Sequence, residues 1–524
     1  MSVTAVLVAG AAAGGAYYVL HTRGTPAGTA QRFAAAWQAG DTAAMAKELA
    51  TPQQLGAYDQ QRTALGVERA AVRLGRVVEG DDRARVPYTV TLALKDVGEW
   101  SYDGQIDLVV ADRAWKVNWS PATLHPRLKA GSKFSIKTRW PQRAEITDAD
   151  GGRIDDGSGG GSVQQLVGFL DKATKKDVAK LGSAYKVGQA IGRGGLQETF
   201  QERLAGTPST DIQLDGETLK TIEGSPGKPV RTSLDRKAQA AAVAAVKDMD
   251  KPTSMVAIRP SSGEILAVVN NQGGFNRALD GRYPPGSTFK AVTAIGLLAA
   301  GMSPQDRVTC PEYATVGGMK IRNSDNEAFG SLSFLDSFAH SCNTTFAPLA
   351  QSKLGGGKLR EAAEAVGFNQ PLDIGVPAAK ASFPEPQSDA ELAAESFGQA
   401  RITASPLSIA SVAAAIADGT WRPPTLVPSL KQKAAERELP DGVKEPLHSM
   451  MAAVVTKGTA KAAGLPAGTR GKTGTAEFGT GDKLETHAWF MGFKGDVAFA
   501  VIVEGGGGGG AVAAPVAATF LKNL

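Results

Sequence analysis

Apolar residues at helical spacing open the first part of the chain that is predicted to fold. Phe33 and Trp37 are four residues apart in the segment AQRFAAAWQAG, a spacing that places two side chains on one face of a helix. The next segment, DTAAMAKEL, begins with Asp41 in the position of an N-cap and predicts a second short helix. Two helices are therefore expected to start a domain.

The spacing then changes from helical to alternating. Every second residue from Val86 to Leu94 is a large apolar one, which is the pattern of a strand with one buried face. Two further apolar runs follow in QIDLVVADRAWKVNW, joined by a predicted turn at Ala111-Asp112. Residues 25–130 are accordingly predicted to form an α+β domain, with helices first and a strand meander after them.

A glycine-rich stretch and a helical region occupy the middle of the chain. Residues Gly151–Ser162 read GGRIDDGSGGGS, a composition typical of flexible joints, and we expect a boundary or hinge there. The segments QQLVGFLDKATKKDVAKL and GLQETFQERLAG are helical in pattern, with few strand signals around them. Residues 131–228 are therefore predicted to be a connecting domain.

The last part of the chain has the pattern of one large α/β unit, residues 229–524. SMVAIRP and EILAVVN flank the turn Ser261-Ser262-Gly263 and predict a hairpin. RGKTGTAEF, HAWFMGF and VAFAVIVEG are strand-like and are expected to continue the same antiparallel sheet, with helices between the two groups. The run Gly505–Gly510 is predicted to be a mobile turn without chemistry.

The amino terminus is uncharged. Residues Met1–Leu20 contain no charged side chain and are long enough to cross a bilayer of ~30 Å as a helix. No basic residue precedes them and Arg23 follows, which is the reverse of the positive-inside pattern for an exported protein. An uncleaved anchor over residues 1–22 is favoured over a cleaved signal, and a buried helix is the third reading.

Composition and charge exclude several classes of protein. The 524 residues suggest about three domains, and 42% hydrophobic with 21% charged residues is ordinary for a folded chain. The net charge of +5 is spread without basic runs, so a nucleic-acid partner is not expected. Cys310 and Cys342 are too few for a zinc site, and no metal or other cofactor is predicted; they are either a disulfide or two buried thiols.

The strongest chemical signal is the segment Tyr283-Pro-Pro-Gly-Ser-Thr-Phe-Lys290. Ser287 is expected at the start of a helix, with Lys290 one turn further on the same face. A serine hydroxyl becomes a strong nucleophile when a neighbouring base takes its proton, and a lysine can be that base if burial or another cation lowers its pKa. The pair predicts nucleophilic catalysis by Ser287.

Two later motifs complete this chemistry. Ser341-Cys342-Asn343 supplies a second hydroxyl, predicted to relay a proton to a leaving amine, and an amide predicted to hold the substrate peptide bond. The segment that begins at Lys472 supplies a fixed cation, two hydroxyls for a terminal carboxylate and a glycine that leaves room for substrate; these residues are Lys472, Thr473, Gly474 and Thr475. Backbone amides of Ser287 and Thr475 are predicted to form an oxyanion hole.

With these three motifs in order, the chain resembles the penicillin-binding proteins. FNRAL and PPGSTFK are similar to the nucleophile segment of that family, and THAWFMGF is similar to the strand paired with KTGT. GLQETFQERLAGTPSTD and VRTSLDRKAQAAA resemble the pedestal or dimerisation region of class B members. The region ending WKVNWSPATLHPRL resembles the NTF2-like domain of the subgroup that includes the staphylococcal resistance protein PBP2a.

The resemblance implies a multidomain architecture: a membrane anchor or signal (1–22), an NTF2-like domain (25–130), a pedestal (131–228) and a transpeptidase domain (229–524). Where relatives have Arg-Gly-x-Ile-x-Asp-Arg, this chain has Arg143-Ala-Glu-Ile-Thr-Asp-Ala149, a departure that concerns the packing of the pedestal. No region resembles a glycosyltransferase, so we expect no glycan polymerisation.

The resemblance also implies a function: a monofunctional D,D-transpeptidase that cross-links peptidoglycan stem peptides and is acylated by β-lactams. A serine β-lactamase or a D,D-carboxypeptidase is the second hypothesis, and a non-catalytic cell-wall scaffold is the third. The expected location is the cell membrane, with a single span and the catalytic domain outside, where cell-wall synthesis proteins are further expected partners. His340 and His487 are not expected to be catalytic, and Trp489 and Phe490 are expected in the core.

Overall fold

The structure is a computed structural model that describes residues 23–51, 53, 55–182, 184–479 and 484–524. The described residues form two compact units. The first comprises the chain up to Arg143 together with Lys172–Gln189 and Ala205–Gly227, and the second comprises Ala144–Asp171, Ala190–Leu204 and Lys228–Leu524. The expected anchor or signal over residues 1–22 lies outside the described residues. No helix in the described ranges is long and apolar enough to span a bilayer.

Strands are present in both units. In chain order their bounds are β1 (Val67–Leu74), β2 (Val78–Glu79), β3 (Arg83–Leu94), β4 (Gly98–Ala111), β5 (Ala114–Val117), β6 (Phe134–Arg139), β7 (Ile146–Thr147), β8 (Phe169–Lys172), β9 (Ala190–Arg193), β10 (Ser209–Leu214), β11 (Glu217–Ile222), β12 (Val230–Arg231), β13 (Thr253–Ile258), β14 (Ile265–Asn270), β15 (Arg307–Cys310), β16 (Tyr313–Val316), β17 (Met319–Arg322), β18 (Gly330–Ser333), β19 (Thr420–Trp421), β20 (Arg437–Glu438), β21 (Arg470–Phe478), β22 (Glu485–Lys494) and β23 (Val497–Val503).

Helices alternate with these strands. In chain order their bounds are α1 (Pro26–Ala39), α2 (Thr42–Lys47), α3 (Gly56–Leu65), α4 (Gly160–Val167), α5 (Lys175–Leu181), α6 (Gly195–Thr199), α7 (Gln201–Ala205), α8 (Arg236–Val246), α9 (Arg277–Asp280), α10 (Lys290–Ala299), α11 (Phe334–Ala339), α12 (Asn343–Leu349), α13 (Gly355–Ala365), α14 (Asp389–Glu395), α15 (Pro406–Asp418), α16 (Lys444–Thr456) and α17 (Ala513–Asn523). A 3₁₀ turn, Gly286–Phe289, precedes α10, and a π-helical turn, Ala350–Leu354, precedes α13.

The first unit confirms the predicted order of helices and meander. Phe33 and Trp37 lie buried on α1, and the Asp41 carboxylate accepts a hydrogen bond from the Ala44 amide at 2.9 Å, which caps α2. The main sheet has the order β1-β3-β4-β5. Alternate residues of β3 are buried, as its pattern predicts, because one face of the sheet covers α1 and α3.

Two local predictions in this region need correction. The turn between β4 and β5 is centred one residue later than predicted, on Asp112 and Arg113, whose φ angles are 51° and 60°. The glycine-rich stretch Gly151–Ser162 is not a boundary between the compact units but lies within the second one. There α4 begins, and the Ser162 hydroxyl donates to the carbonyl oxygen of Asn270 at 3.0 Å, so local packing outweighs the flexible composition.

The second unit is built around the predicted antiparallel sheet, with the order β14-β13-β23-β22-β21. β13 and β14 form the predicted hairpin, and β21, β22 and β23 continue the same sheet. Helix α15 is buried along most of its length and lies in the same core as these strands. Because β21 ends the strand order, one of its edges is left unpaired, and this edge carries the segment that begins at Lys472.

Candidate active site

Ser287 lies in the 3₁₀ turn immediately before α10. A 3₁₀ helix has three residues per turn, so the side chains of residues three apart are eclipsed. Ser287 and Lys290 are therefore aligned more directly than in the α-helix that the sequence predicted, and Lys290 Nζ lies 2.8 Å from Ser287 Oγ. The local spacing is enough to bring the predicted nucleophile and its predicted base within hydrogen-bonding distance.

Two oxygens that can only accept hydrogen bonds also contact the Lys290 amine. Its Nζ lies 2.7 Å from the carbonyl oxygen of Ser341 and 2.5 Å from Asn343 Oδ1, and both atoms can only accept hydrogen bonds. Lys290 is fully buried, and burial together with the charge of Lys472 lowers its pKa well below the ordinary value. In its neutral form the amine can donate its two N–H groups to these oxygens and still accept a proton from a neighbouring hydroxyl; the Ser287 hydroxyl, at 2.8 Å, is nearer than that of Ser341, at 3.1 Å.

Ser341 is held by a strained and cross-linked loop between α11 and α12. Its φ angle is +60°, a left-handed conformation that costs energy for a residue other than glycine. The next residue, Cys342, forms a disulfide with Cys310 at the end of β15, so the two cysteines are paired rather than free. On the other side, Asn343 donates its amide to the carbonyl oxygen of Arg322 at 2.8 Å. These contacts hold the Ser341 hydroxyl beside the lysine.

Lys472 reaches the same hydroxyl from the sheet. Its Nζ lies 2.9 Å from Ser341 Oγ and 3.0 Å from the carbonyl oxygen of Thr473. Lys472 is fully buried, and burial lowers its pKa to about 7. Ser341 Oγ is also 3.1 Å from Lys290 Nζ, so one hydroxyl bridges two buried amines. Two buried cations this close repel each other, which favours a single positive charge at the site.

The remaining predicted residues follow Lys472 on β21. Thr473 Oγ1 lies 2.5 Å from Thr459 Oγ1, and the Gly509 amide lies 3.4 Å from Thr475 Oγ1. A Cβ atom on Gly474 would lie 2.9 Å from Thr288 Cγ2 and 3.0 Å from Trp489 Cβ, so the glycine is needed by the protein's own packing as well as by any substrate. The carboxylate site, the oxyanion hole and the contact between Asn343 and substrate stay predictions.

Several residues that support the nucleophile turn were not identified from the sequence. The Gly286 amide donates to the carbonyl oxygen of Gly398 at 2.9 Å, and a Cβ on Gly398 would lie 2.0 Å from the Gly286 oxygen. Trp489, buried as expected, donates its indole N–H to the Pro284 oxygen at 3.1 Å. These contacts join segments far apart in sequence, so no local pattern indicates them.

Part of the glycine run before the last helix packs against the candidate site. A Cβ on Gly509 would lie 2.2 Å from the Trp489 oxygen and 2.3 Å from the Gly474 oxygen. A Cβ on Gly510 would lie 2.2 Å from the Thr459 oxygen. At Gly509 and Gly510 the backbone therefore lies directly against neighbouring backbone, and the absence of a side chain at these two positions is a packing requirement.

His340 and His487 each stack on a phenylalanine ring. Among the described residues neither His340 nor His487 is hydrogen-bonded to Ser287. His340 stacks on Phe329 with ring centroids 4.1 Å apart, and His487 stacks on Phe478 at 3.9 Å. In the described ranges no group of histidine, cysteine and acidic side chains is arranged to hold a metal. The chemistry that the geometry supports is transfer of a proton from the Ser287 hydroxyl to the Lys290 amine.

One buried carboxyl group lies behind the nucleophile turn. Glu395 is fully buried, and neither of its carboxyl oxygens has a hydrogen-bond partner among the residues that the structure describes. Burial, with a further contribution from Glu391, raises its pKa to about 7. The next residue, Ser396, accepts a hydrogen bond of 2.6 Å from the Thr293 hydroxyl on α10. Glu395 is the last residue of α14. The segment that follows it, with Ser396 and Gly398, is hydrogen-bonded to α10 and to the turn that holds Ser287.

The raised pKa of Glu395 predicts a specific pH dependence of stability. Above its ordinary value of 4.5 the carboxyl group ionises in the unfolded chain, while the folded protein keeps the proton until about pH 7. The free energy of unfolding therefore falls as pH rises across this interval, by roughly 3 kcal/mol for this group. Glu395→Gln is expected to remove that part of the slope between pH 5 and pH 8 in urea denaturation.

The matched control is Glu361→Gln, which changes an exposed glutamate on α13 and is expected to keep the slope of the unmodified protein. Because the buried lysines and histidines titrate in both proteins, the comparison is between slopes and not between absolute stabilities. Equal slopes in the protein and in Glu395→Gln would show that the carboxyl group is not held protonated by the fold.

Comparison with known proteins agrees with this geometry. Residues 253–522 match the family model described as the penicillin binding protein transpeptidase domain. Residues 25–132 match the model of an NTF2-like N-terminal transpeptidase domain. The second match lies close to the bounds predicted for the NTF2-like domain.

Relatives of known name include peptidoglycan D,D-transpeptidases. The peptidoglycan D,D-transpeptidase PbpA of Mycolicibacterium smegmatis is 32% identical over 334 residues, which are 53% of this chain and 67% of the relative. The peptidoglycan D,D-transpeptidase MrdA of Acinetobacter baumannii is 26% identical, over 65% of this chain and 61% of its own length. The alignments thus span about two thirds of the relatives.

A solved structure supports the fold. PBP2 of Pseudomonas aeruginosa, crystallised in complex with WCK 5153, superposes with a TM-score of 0.65 at 26% identity, over 74% of this chain and 96% of that one. The family match covers more than half of the 524 residues. Together with the assembled serine, lysines and asparagine, it shows that the chain belongs to the penicillin-binding protein transpeptidases and carries an NTF2-like N-terminal domain.

Proposed function

We propose that the chain is a D,D-transpeptidase that acts on the D-Ala-D-Ala end of peptidoglycan stem peptides. The observation that carries the proposal is the fully buried Lys290, whose Nζ lies 2.8 Å from Ser287 Oγ and also contacts two acceptor oxygens and the Ser341 hydroxyl. This arrangement supplies an activated serine, the requirement for an acyl-enzyme. Family membership gives the substrate class.

In the first step Ser287 Oγ attacks the carbonyl carbon of the penultimate D-Ala. Its proton passes to Lys290 Nζ, where burial and the charge of Lys472 lower the pKa and favour the neutral amine that can accept it. The developing oxyanion is stabilised by the predicted backbone amides of Ser287 and Thr475. The lysine thus becomes a cation only when negative charge appears on the substrate.

The proton must then reach the leaving nitrogen. Ser341 Oγ lies 3.1 Å from Lys290 Nζ and 2.9 Å from Lys472 Nζ, so it can give its own proton to the departing amine and be reprotonated by a lysine. The C–N bond breaks, terminal D-Ala leaves as the free amine, and an ester remains on Ser287. The amine of a second stem peptide attacks this ester in the reverse sequence and forms the cross-link.

Transpeptidation is tested with a stem pentapeptide as donor and a stem peptide with a free amine as acceptor. We expect one D-Ala released for each cross-linked dimer, and loss of both products in Ser287→Ala. Release of D-Ala with only tetrapeptide formed would instead identify a carboxypeptidase. The absence of both products in a protein that still binds penicillin covalently would contradict the proposed substrate.

We propose further that the catalytic domain works on the outer side of the cell membrane, with residues 1–22 as its membrane segment and with partners among cell-wall synthesis proteins. The uncharged stretch Met1–Leu20 supports a membrane segment. The Cys310–Cys342 disulfide supports an exported domain, because such bonds persist in oxidising compartments. Labelling of an engineered surface cysteine in intact cells by a membrane-impermeant reagent tests this; protection from the reagent would contradict it.

A further inference from the structure

A loose ion pair joins β17 to β21 beside the candidate site. Arg322 at the end of β17 and Glu477 on β21 approach to 3.8 Å, with 65% and 48% of their side chains exposed. Among the described residues no hydrogen bond holds either side chain. By contrast, the Arg277–Glu504 pair of the same unit is joined at 2.9 Å, and its carboxylate also accepts the Tyr283 hydroxyl at 2.8 Å.

Both residues are directly linked to the catalytic groups. The carbonyl oxygen of Arg322 accepts the Asn343 amide at 2.8 Å, and the other end of that amide contacts Lys290. Glu477 is two residues beyond Thr475 on the same strand, a separation of about 7 Å. The pair therefore lies beside the reacting centre, on the side away from Lys472.

The unpaired edge of β21 sets the direction of a bound donor peptide. The backbone of Thr475 faces the nucleophile turn, since a Cβ on Gly286 would lie 2.7 Å from the Thr475 oxygen. A peptide that adds to this edge as an extended strand, with its terminal carboxylate near Thr473, runs antiparallel to β21. Its residues upstream of the scissile bond then lie alongside Glu477.

From this placement we infer that Arg322 and Glu477 select the third side chain of the donor stem peptide, and that this side chain ends in both an ammonium and a carboxylate, as in diaminopimelate. The guanidinium binds the carboxylate in fork geometry, and the Glu477 carboxylate binds the ammonium. A lysine side chain offers only an ammonium, which Glu477 attracts and Arg322 repels. The inference rests on the proposed function, whose donor it specifies.

The local charges favour the same ligand. Lys320 is exposed on the same face of β17, where its Nζ lies 3.7 Å from the centre of the Tyr313 ring. Tyr313 is the cross-strand partner of Arg322, so the hairpin of β16 and β17 presents two cations towards solvent. An exposed ion pair such as Arg322–Glu477 contributes little to stability, and a ligand with both charges can replace it at small cost.

The test uses three stem pentapeptide donors that differ only at the third residue: diaminopimelate, diaminopimelate with its side-chain carboxyl amidated, and lysine. Exchange of terminal D-Ala for a labelled D-amino acid gives kcat/KM for each. The expected preference is about tenfold for the unmodified diaminopimelate donor over both others, the effect of one charge-assisted contact. Arg322→Gln is expected to abolish this preference, and Arg322→Lys to keep part of it.

The control is Arg360→Gln, which removes an exposed arginine paired with Glu364 on α13 and is expected to leave the donor preference unchanged. Equal kcat/KM for the three donors, or a preference that survives Arg322→Gln, would overturn the inference and leave the proposed function standing. If the protein that is acylated by penicillin exchanges none of the donors, the proposed function itself fails, so the two failures are distinguishable.

Discussion

Replacing Lys290 with methionine is expected to lower the second-order rate constant for acylation by benzylpenicillin by about 10²- to 10⁴-fold, the usual contribution of a general base. Methionine has the volume of the lysine chain but cannot accept the Ser287 proton. Because Lys290 is fully buried, no solvent-exposed group can replace it directly. The rate is measured by following formation of the covalent adduct at several drug concentrations.

Lys290→Arg separates the role of the base from that of the charge. An arginine keeps a cation near the site, but its pKa is so high that it stays protonated and cannot take the serine proton. We expect this variant to be as slow as Lys290→Met. A rate within tenfold of the unmodified protein in either variant, with an unchanged melting temperature, would mean that another group activates Ser287.

Gly509→Ala is expected to slow acylation by about 100-fold and to lower the melting temperature. The added methyl group would lie 2.2 Å from the Trp489 oxygen and 2.3 Å from the Gly474 oxygen, so backbone atoms of β21 and β22 must move. Such a shift is of the order of 1 Å, and misplacement by this distance costs about two orders of magnitude in rate. The same methyl group overpacks a buried position, which destabilises the fold.

Gly508→Ala provides the matched control. It makes the same chemical change one residue earlier, where the new Cβ would have no atom within 4 Å and the residue is exposed. We expect acylation and stability close to those of the unmodified protein. Similar losses in both variants would show that the flexibility of the glycine run, and not its packing on β21, is what matters.

The grouping of the candidate catalytic residues could be predicted from the sequence because the motifs that carry them are short. Ser287 and Lys290 are three residues apart, and any single helical turn brings them together. Ser341, Asn343 and Lys472 were identified through their spacing within motifs and their order along the chain. The central sheet was predictable because its strands have strong apolar patterns.

The supporting residues could not be predicted, because their roles depend on contacts between distant segments. Gly398 packs on Gly286, and Gly509 packs on Gly474, but each reads in the sequence as an ordinary loop glycine. In the sequence Glu395 reads as an exposed residue at the end of a helix. Only the fold shows that it is buried and, among the described residues, has no hydrogen-bond partner. The prediction of a domain boundary in the glycine-rich stretch before α4 was wrong for the same reason, since tertiary packing outweighed the local flexibility of the stretch.

The central claim is that Ser287 is the acylated nucleophile, and intact-protein mass after addition of benzylpenicillin tests it most directly. Opening of the β-lactam ring loses no atoms, so we expect one adduct with the full mass of the drug, persisting for hours and mapped to the peptide that contains Ser287. Ser287→Ala should show no adduct. An adduct of equal amount in Ser287→Ala, or one mapped to another residue, would contradict the account.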